Sequence, residues 1–179
     1  MPGVPVDALE RARRFVDLHA GDELFVMANP TTTGIAQLLE RLGYQALGTS
    51  SAALARSLGR KDGENALTRV EAIEHAKDLA AATNVPISGD FENGYGDDPA
   101  AVAETISASI QAGLAGCCIE DATGQADEPI YDAKLAAERI AAGAEAMGDS
   151  PFVLVARAEN FLHGRADLDD TISRLQTFE

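Results

Sequence analysis

Seven residues in this chain have the types and spacing to do chemistry together: Asp62, Asp90, Glu92, Glu120, Arg157, Ser50 and Ser51. Asp90 and Glu92 stand two apart at the exit of Pro86-Ile87-Ser88-Gly89, so while a strand lasts their carboxylates share one face. Like charges held together repel, and a shared cation relieves them. Asp62 and Glu120 could join the same ion. A donor set of oxygens without His or Cys favours Mg2+ or Mn2+ over Zn2+. Mg2+ keeps several waters, so Asp90 is the expected direct ligand and the other three carboxylates the holders of its water. Arg157, at the end of a later apolar run, can grip a carboxylate or phosphonate as a bidentate fork, with Glu159 orienting it. Backbone N–H groups at Ser50-Ser51, entering a helix, can receive an oxyanion. A metal, an arginine and an oxyanion nest suit a substrate that becomes an enolate. Read structurally, the same residues are solvated strand ends, and Arg157 is an ion-pair partner of Glu159.

These residues need a scaffold that brings distant segments to one place. Apolar runs at 24–28, 45–49, from 87, 116–120 and 152–156 read as five strands. Between them lie amphipathic segments: a helix closing at Leu42 with Gly43 as cap, and a small-residue helix after Ser50-Ser51. Further on come a helix from Thr68 with Val70, Ile73, Ala76, Leu79 and Ala80 as its inner stripe, then helices over 99–112 and 133–147, and one from about Leu168. A helix over 6–19, with Val6, Leu9, Phe15, Val16 and Leu18, precedes the first strand. Asp98-Pro99 is an N-cap followed by a first-turn proline. In the glycine-rich turn between them, Gly94 and Gly96 are expected at unusual backbone angles. Strand then helix, five times, means a parallel sheet covered by helices. An open doubly wound sheet would set strands two and five roughly 19 Å apart. A barrel turns every strand end to one mouth. The barrel uses all the candidate residues and is preferred. A complete one takes about 250 residues, so the expectation for 1–179 is a single (β/α)8 barrel domain truncated after about five βα units.

Composition narrows the partners. The chain has 179 residues, with 14 Lys plus Arg against 29 Asp plus Glu, a net charge of −15 that argues against nucleic acid or anionic membrane. A small anionic carboxylate substrate remains compatible if a metal and an arginine reverse the field locally. Cys117 and Cys118 are adjacent and the only cysteines, so no disulfide framework is expected, and they read as small core residues. A reducing, cytoplasmic setting follows. No apolar run approaches a membrane span or a signal peptide.

Pro86-Ile87-Ser88-Gly89-Asp90-Phe91-Glu92-Asn93-Gly94-Tyr95-Gly96, the run Gly116 to Asp121, and Val155-Ala156-Arg157 resemble the isocitrate lyase/phosphoenolpyruvate mutase superfamily. So do Phe25-Val26-Met27, Thr49-Ser50-Ser51-Ala52, Ser57-Leu58-Gly59 and Asp62-Gly63. The resemblance implies a (β/α)8 barrel, usually a homo-oligomer (dimer or tetramer), with Mg2+ at the strand ends. It implies cleavage or formation of C–C or P–C bonds beside a 2-oxo or 2-hydroxy acid through an enolate. On this match Asp90 is the metal ligand, with Asp62, Glu92 and Glu120 in its water-mediated shell. Arg157 is the carboxylate clamp, and Ser50 and Ser51 are the enolate-oxygen donors. The Lys-Lys-Cys-Gly-His signature of the lyases is absent, its place taken by Thr123-Gly124-Gln125-Ala126-Asp127-Glu128-Pro129-Ile130-Tyr131-Asp132. The longer Lys- and Asn-bearing loop of the mutases and phosphonopyruvate hydrolases is unmatched too. Asn29-Pro30-Thr31-Thr32-Thr33 departs from the Asn-Ala-Trp-Asp pattern of the broad, poorly characterised branch. A true isocitrate lyase is therefore not expected. By elimination a Mg2+-dependent lyase or decarboxylase of an oxaloacetate-like acid fits best. P–C bond chemistry and a non-catalytic barrel module are the alternatives.

Overall fold

Six of the helices begin where a short polar side chain takes an unpaired backbone N–H. Thr32, Ser50, Thr68, Asp98, Asp132 and Asp167 cap α2 (Thr33–Arg41), α3 (Ser51–Ser57), α4 (Arg69–Ala82), α5 (Pro99–Gln111), α6 (Ala133–Met147) and α7 (Leu168–Phe178). Thr68 and Glu71 form a reciprocal capping box. Pro99 stands in the first turn of α5, where its missing N–H costs nothing. α1 (Val6–Ala20) opens the fold, and the strands are β1 (Met27–Ala28), β2 (Ala46–Gly48), β3 (Ile87–Asp90), β4 (Gly116–Glu120) and β5 (Val153–Arg157). The computed structural model describes residues 6–63 and 66–179; residues 1–5 and 64–65 of the expected 1–179 domain, and the side chain of Val6, lie outside the described residues.

The five strands are parallel and follow chain order, β1-β2-β3-β4-β5. Sequential order excludes the doubly wound alternatives, in which the chain reverses direction along the sheet. It is the order of a barrel wall. Helices α4, α5 and α6 pack on β3, β4 and β5 in turn, and Ile73, Leu79, Ile87, Phe91, Val102, Ile106, Ile119 and Ile140 form the main core between helices and sheet.

The edges depart from expectation. The run 24–28 reads as a covered strand, yet only Met27 and Ala28 pair, and Leu24 and Val26 are 100% and 69% exposed. β1 hydrogen-bonds to β2 alone, so no strand among the described residues pairs with its outer edge. Val70 is likewise exposed; the buried stripe of α4 is Ala72, Ile73, Ala76, Leu79 and Ala80. In α1 the inward residues are Ala8, Ala12 and Phe15, while Val16 faces outward. The small alanines let that helix lie close to β4 and β5, and Phe15 fills the gap against Ala46 and Ala115.

Candidate active site

The candidate residues come from four strand exits. Asp90 is the last residue of β3, and its backbone N–H donates to Thr49 Oγ1 at 2.7 Å, tying the β3 exit to the β2 exit. Glu92 lies past the strand at φ 48, so shared strand alternation does not explain its direction; its carboxylate lines the same pocket because the chain turns there. Gly89 is required, since a Cβ on it would meet the Phe91 ring at 2.2 Å. Gly94 holds φ 80, but the other left-handed residues of the turn are Glu92 and, at φ 63, Tyr95, not Gly96. The turn is gripped from behind. Buried Arg139 of α6 donates to the carbonyls of Asn93, Gly96 and Asp97, and Tyr131 bridges Asn93 and Asp97.

Arg157, ending β5, faces three carboxylates: Asp90 at 3.7 Å, Glu120 at 3.6 Å and Glu159 at 2.5 Å. Burial opposes its charge, but Cys118, Glu120 and Glu159 outweigh it and hold the guanidinium protonated. Burial pushes Glu92 up from 4.5 to about 7, helped by the charges of Asp90 and Asp62. Glu120 also rises to about 7: burial leads, Arg157 opposes, and Glu159, Asp90 and Glu92 add. Negative charge is thus in excess around a single guanidinium.

The pocket holding these groups has a volume of about 860 Å³. Asp62 reaches only its rim: its side chain is 41% exposed and 3.5 Å from Arg56. Ser50 Oγ is spent on capping α3, accepting from Ala53 N–H at 3.3 Å. The Ser51 N–H, expected to face an oxyanion, donates to Asp90 Oδ2 at 2.7 Å. Both serines line the pocket. Among the described residues, no three His, Cys, Asp or Glu side chains are already spaced to hold an ion.

Cys118 corrects the expectation of two core cysteines. Cys117 is fully buried, but Cys118 lines the pocket, its Sγ 3.5 Å from Asp90 Oδ1 and 3.8 Å from Arg157 Nη1. Period-two alternation from Glu120 on β4 was the signal that could have found it. Burial and the Asp90 charge raise its thiol to about 12, so it is no nucleophile at neutral pH. Asn29, Gln125 and His163 also line the pocket. Asp121 does not: it is buried and accepts from Glu159 N–H at 2.8 Å and from Arg174 at 3.1 Å.

A family model described as phosphoenolpyruvate phosphomutase matches residues 15–179. Among solved structures, a Burkholderia cenocepacia J2315 protein, provisionally a lyase/mutase, superimposes with a TM-score of 0.92 at 45% identity, covering 97% of this chain and 62% of that one. Oxaloacetate acetylhydrolase in complex with the product oxalate superimposes with a TM-score of 0.84 at 25% identity, covering 98% and 61%. The 2-methylisocitrate lyase of Escherichia coli K12 is 31% identical over 151 residues, 80% of this chain and 50% of that protein. The chain spans about half the length of the curated relatives it matches. No helix among the described residues is long and apolar enough to cross a membrane.

Proposed function

The chain belongs to the phosphoenolpyruvate phosphomutase family of the isocitrate lyase/phosphoenolpyruvate mutase superfamily, and from that premise we propose that it serves a Mg2+-dependent lyase or decarboxylase acting on a small 2-oxo or 2-hydroxy acid through an enolate. The observation that carries the reading is the imbalance of charge at the strand exits. Asp90, Glu92, Glu120 and Glu159 crowd Arg157, and two of the four hold their protons to about 7. An oxygen-only donor set short of positive charge fits Mg2+ or Mn2+. Bound there, the ion would supply positive charge opposite the enolate oxygen.

The chain's own residues do the rest. Arg157 takes the carboxylate next to the 2-oxo carbon, exchanging part of its present ion pairing for a bidentate contact, while Glu159 keeps the guanidinium plane in place. The Ser51 N–H now donates to Asp90 Oδ2; with Asp90 holding a cation, that N–H would be free to donate to the substrate oxygen. In an oxaloacetate-like acid the bond between C3 and the distal carboxylate would break, that carboxylate leaving as CO2 and the electron pair delocalising onto the 2-oxo oxygen, and C3 would then take one proton from solvent. Gln125 and His163 line the same pocket.

Oxalate, a planar mimic of the pyruvate enolate and the product bound in oxaloacetate acetylhydrolase, is the probe. Calorimetric titration should give oxalate binding that requires Mg2+ and disappears in Asp90→Asn, accompanied by Mg2+-dependent conversion of oxaloacetate to pyruvate. Oxalate binding indifferent to Mg2+ in a folded sample would sink the reading.

A further inference from the structure

Loss of the distal carboxylate leaves an enolate that must gain a proton at C3, and a donor held in the pocket speeds that step. The lining offers few. On the reading above, Asp62, Asp90, Glu92 and Glu120 serve the cation and its water, and Glu159 is taken by Arg157 at 2.5 Å. Arg157 keeps its charge and burial holds the Cys118 thiol protonated, so neither releases a proton near neutrality. The hydroxyls of Ser50 and Ser51 are weaker acids still. His163 remains, and histidine is the side chain that ordinarily exchanges its proton between about pH 5 and 8.

The other two histidines are already committed. His19 Nδ1 lies 2.8 Å from the Phe15 carbonyl oxygen and His75 Nε2 lies 3.1 Å from that of Thr31, and neither lines the pocket. Among the described residues, no hydrogen bond or ion pair engages the ring of His163. Its backbone, by contrast, is fixed. The His163 N–H donates to the carbonyls of Glu159 at 3.2 Å and Asn160 at 3.3 Å, and the Arg165 N–H closes the turn on Asn160 at 2.9 Å. Asn160 is fully buried and donates to Asp170 Oδ2 at 2.6 Å, which pins the base of the turn. Gly164, at φ 72, bends the chain out of it. His163 is thus an exposed residue of the pocket wall, one turn beyond the carboxylate that holds Arg157.

We propose that His163 is the catalytic acid of this site: its protonated ring gives one proton to C3 of the enolate that Arg157 holds by its carboxylate. This rests on the enolate reading above and deepens it by naming the carrier of the solvent proton. An N–H bond of the imidazolium breaks and the C3–H bond forms. The electron pair of the enolate double bond makes that new bond, the 2-oxo group is restored, and the neutral ring recovers its proton from water. Exposure suits that last exchange, and the pinned turn keeps the ring at the wall meanwhile. In reverse, the same ring in its neutral form takes a proton from C3 of the product.

The test follows the methyl hydrogens of pyruvate by NMR in deuterium oxide, with the wild-type chain and His163→Ala, and measures Mg2+-dependent oxalate binding beside it. The wild-type chain should exchange those hydrogens for deuterium only with Mg2+. His163→Ala should exchange them about a hundredfold more slowly and bind oxalate as the wild type does. Added imidazole should restore its exchange above the rate without protein. A residue that merely shapes the wall does not respond to imidazole. Exchange at the wild-type rate in His163→Ala overturns the role of His163. Weakened oxalate binding in that variant also overturns it, in favour of a binding role. A wild-type chain that binds oxalate with Mg2+ but leaves pyruvate unexchanged overturns the proton transfer and leaves the enolate site standing. Absence of Mg2+-dependent oxalate binding in the wild-type chain overturns both readings together.

Discussion

Two arginines lie on either side of the glycine-rich turn, and their surroundings are opposite. Arg139 is 1% exposed, spends its donors on the carbonyls of Asn93, Gly96 and Asp97, and stacks on Tyr131 at 4.2 Å. No carboxylate among the described residues pairs with it. Arg157 has a side chain 39% exposed and faces Asp90, Glu120 and Glu159 in the pocket. The first environment is complete as it stands: every acceptor is neutral and every one is used. The second holds more negative charge than one guanidinium can balance. A finished cation supports structure, and an over-supplied one leaves room for a ligand.

Removing each arginine should separate these roles. Arg139→Met strands three buried carbonyls, each costing about 1–3 kcal/mol when unpaired. The expected loss is about 3 kcal/mol or more, a fall in melting temperature of roughly 10 °C for a chain of this length. Arg157→Met should leave the melting temperature within a few degrees and weaken Mg2+-dependent oxalate binding about a hundredfold, near 2.7 kcal/mol. Unfolding and calorimetry on the two variants give both numbers. If Arg139→Met melts with the wild type, or Arg157→Met keeps its oxalate, the division of labour is wrong.

Acidity provides a smaller effect with a definite sign. Glu92 and Glu120 are raised from 4.5 to about 7, so the folded chain binds protons more tightly than the unfolded chain in that interval. Stability present below pH 4.5 is therefore lost as pH rises toward 7. Glu71 is pulled down to about 2, mainly by its bond to Arg60, and acts below that window. In chelator the melting temperature should fall by a few degrees between pH 5 and 7.5, the fall should shrink in Glu92→Gln, and Mg2+ should remove most of it. A flat profile in chelator would mean that the carboxylates are less crowded than their positions indicate.

Much of this was readable beforehand, and the rest was not for physical reasons. Five βα units, the caps at Asp98 and Thr68, and the meeting of Asp90, Glu92, Glu120 and Arg157 follow from local pattern plus one rule, that parallel strand ends share a mouth. Arg139 escaped notice because a single arginine in a helix normally lies at the surface; only the folded turn supplies three carbonyls at one point. The Ser51 N–H was marked as an oxyanion donor, but its partner Asp90 escaped for the same reason, being 39 residues away. The exposed β1 shows the converse limit. Leu24 to Ala28 is apolar enough for a covered strand, and its cover depends on neighbours that the segment itself does not encode.

Asp62 marks the weakest edge of the comparison and predicts the smallest effect. The family resemblance puts it in the shell around the cation with Glu92 and Glu120, yet its side chain is 41% exposed and pairs loosely with Arg56 at 3.5 Å. A charge at the rim acts through solvent, where an ion pair contributes about 0–1 kcal/mol and salt screens it within about 10 Å at 0.1 M. Asp62→Asn should therefore weaken Mn2+ binding by about threefold at low salt, and 0.5 M KCl should erase the difference. The hundredfold loss expected for oxalate in Arg157→Met should persist in the same salt, because that contact is direct. If Asp62→Asn instead costs as much as Glu120→Gln and resists salt, the segment 59–63 must swing inward on binding. The mouth would then close by drawing a rim carboxylate onto the cation, and Asp62 would belong with Arg157 rather than with the surface.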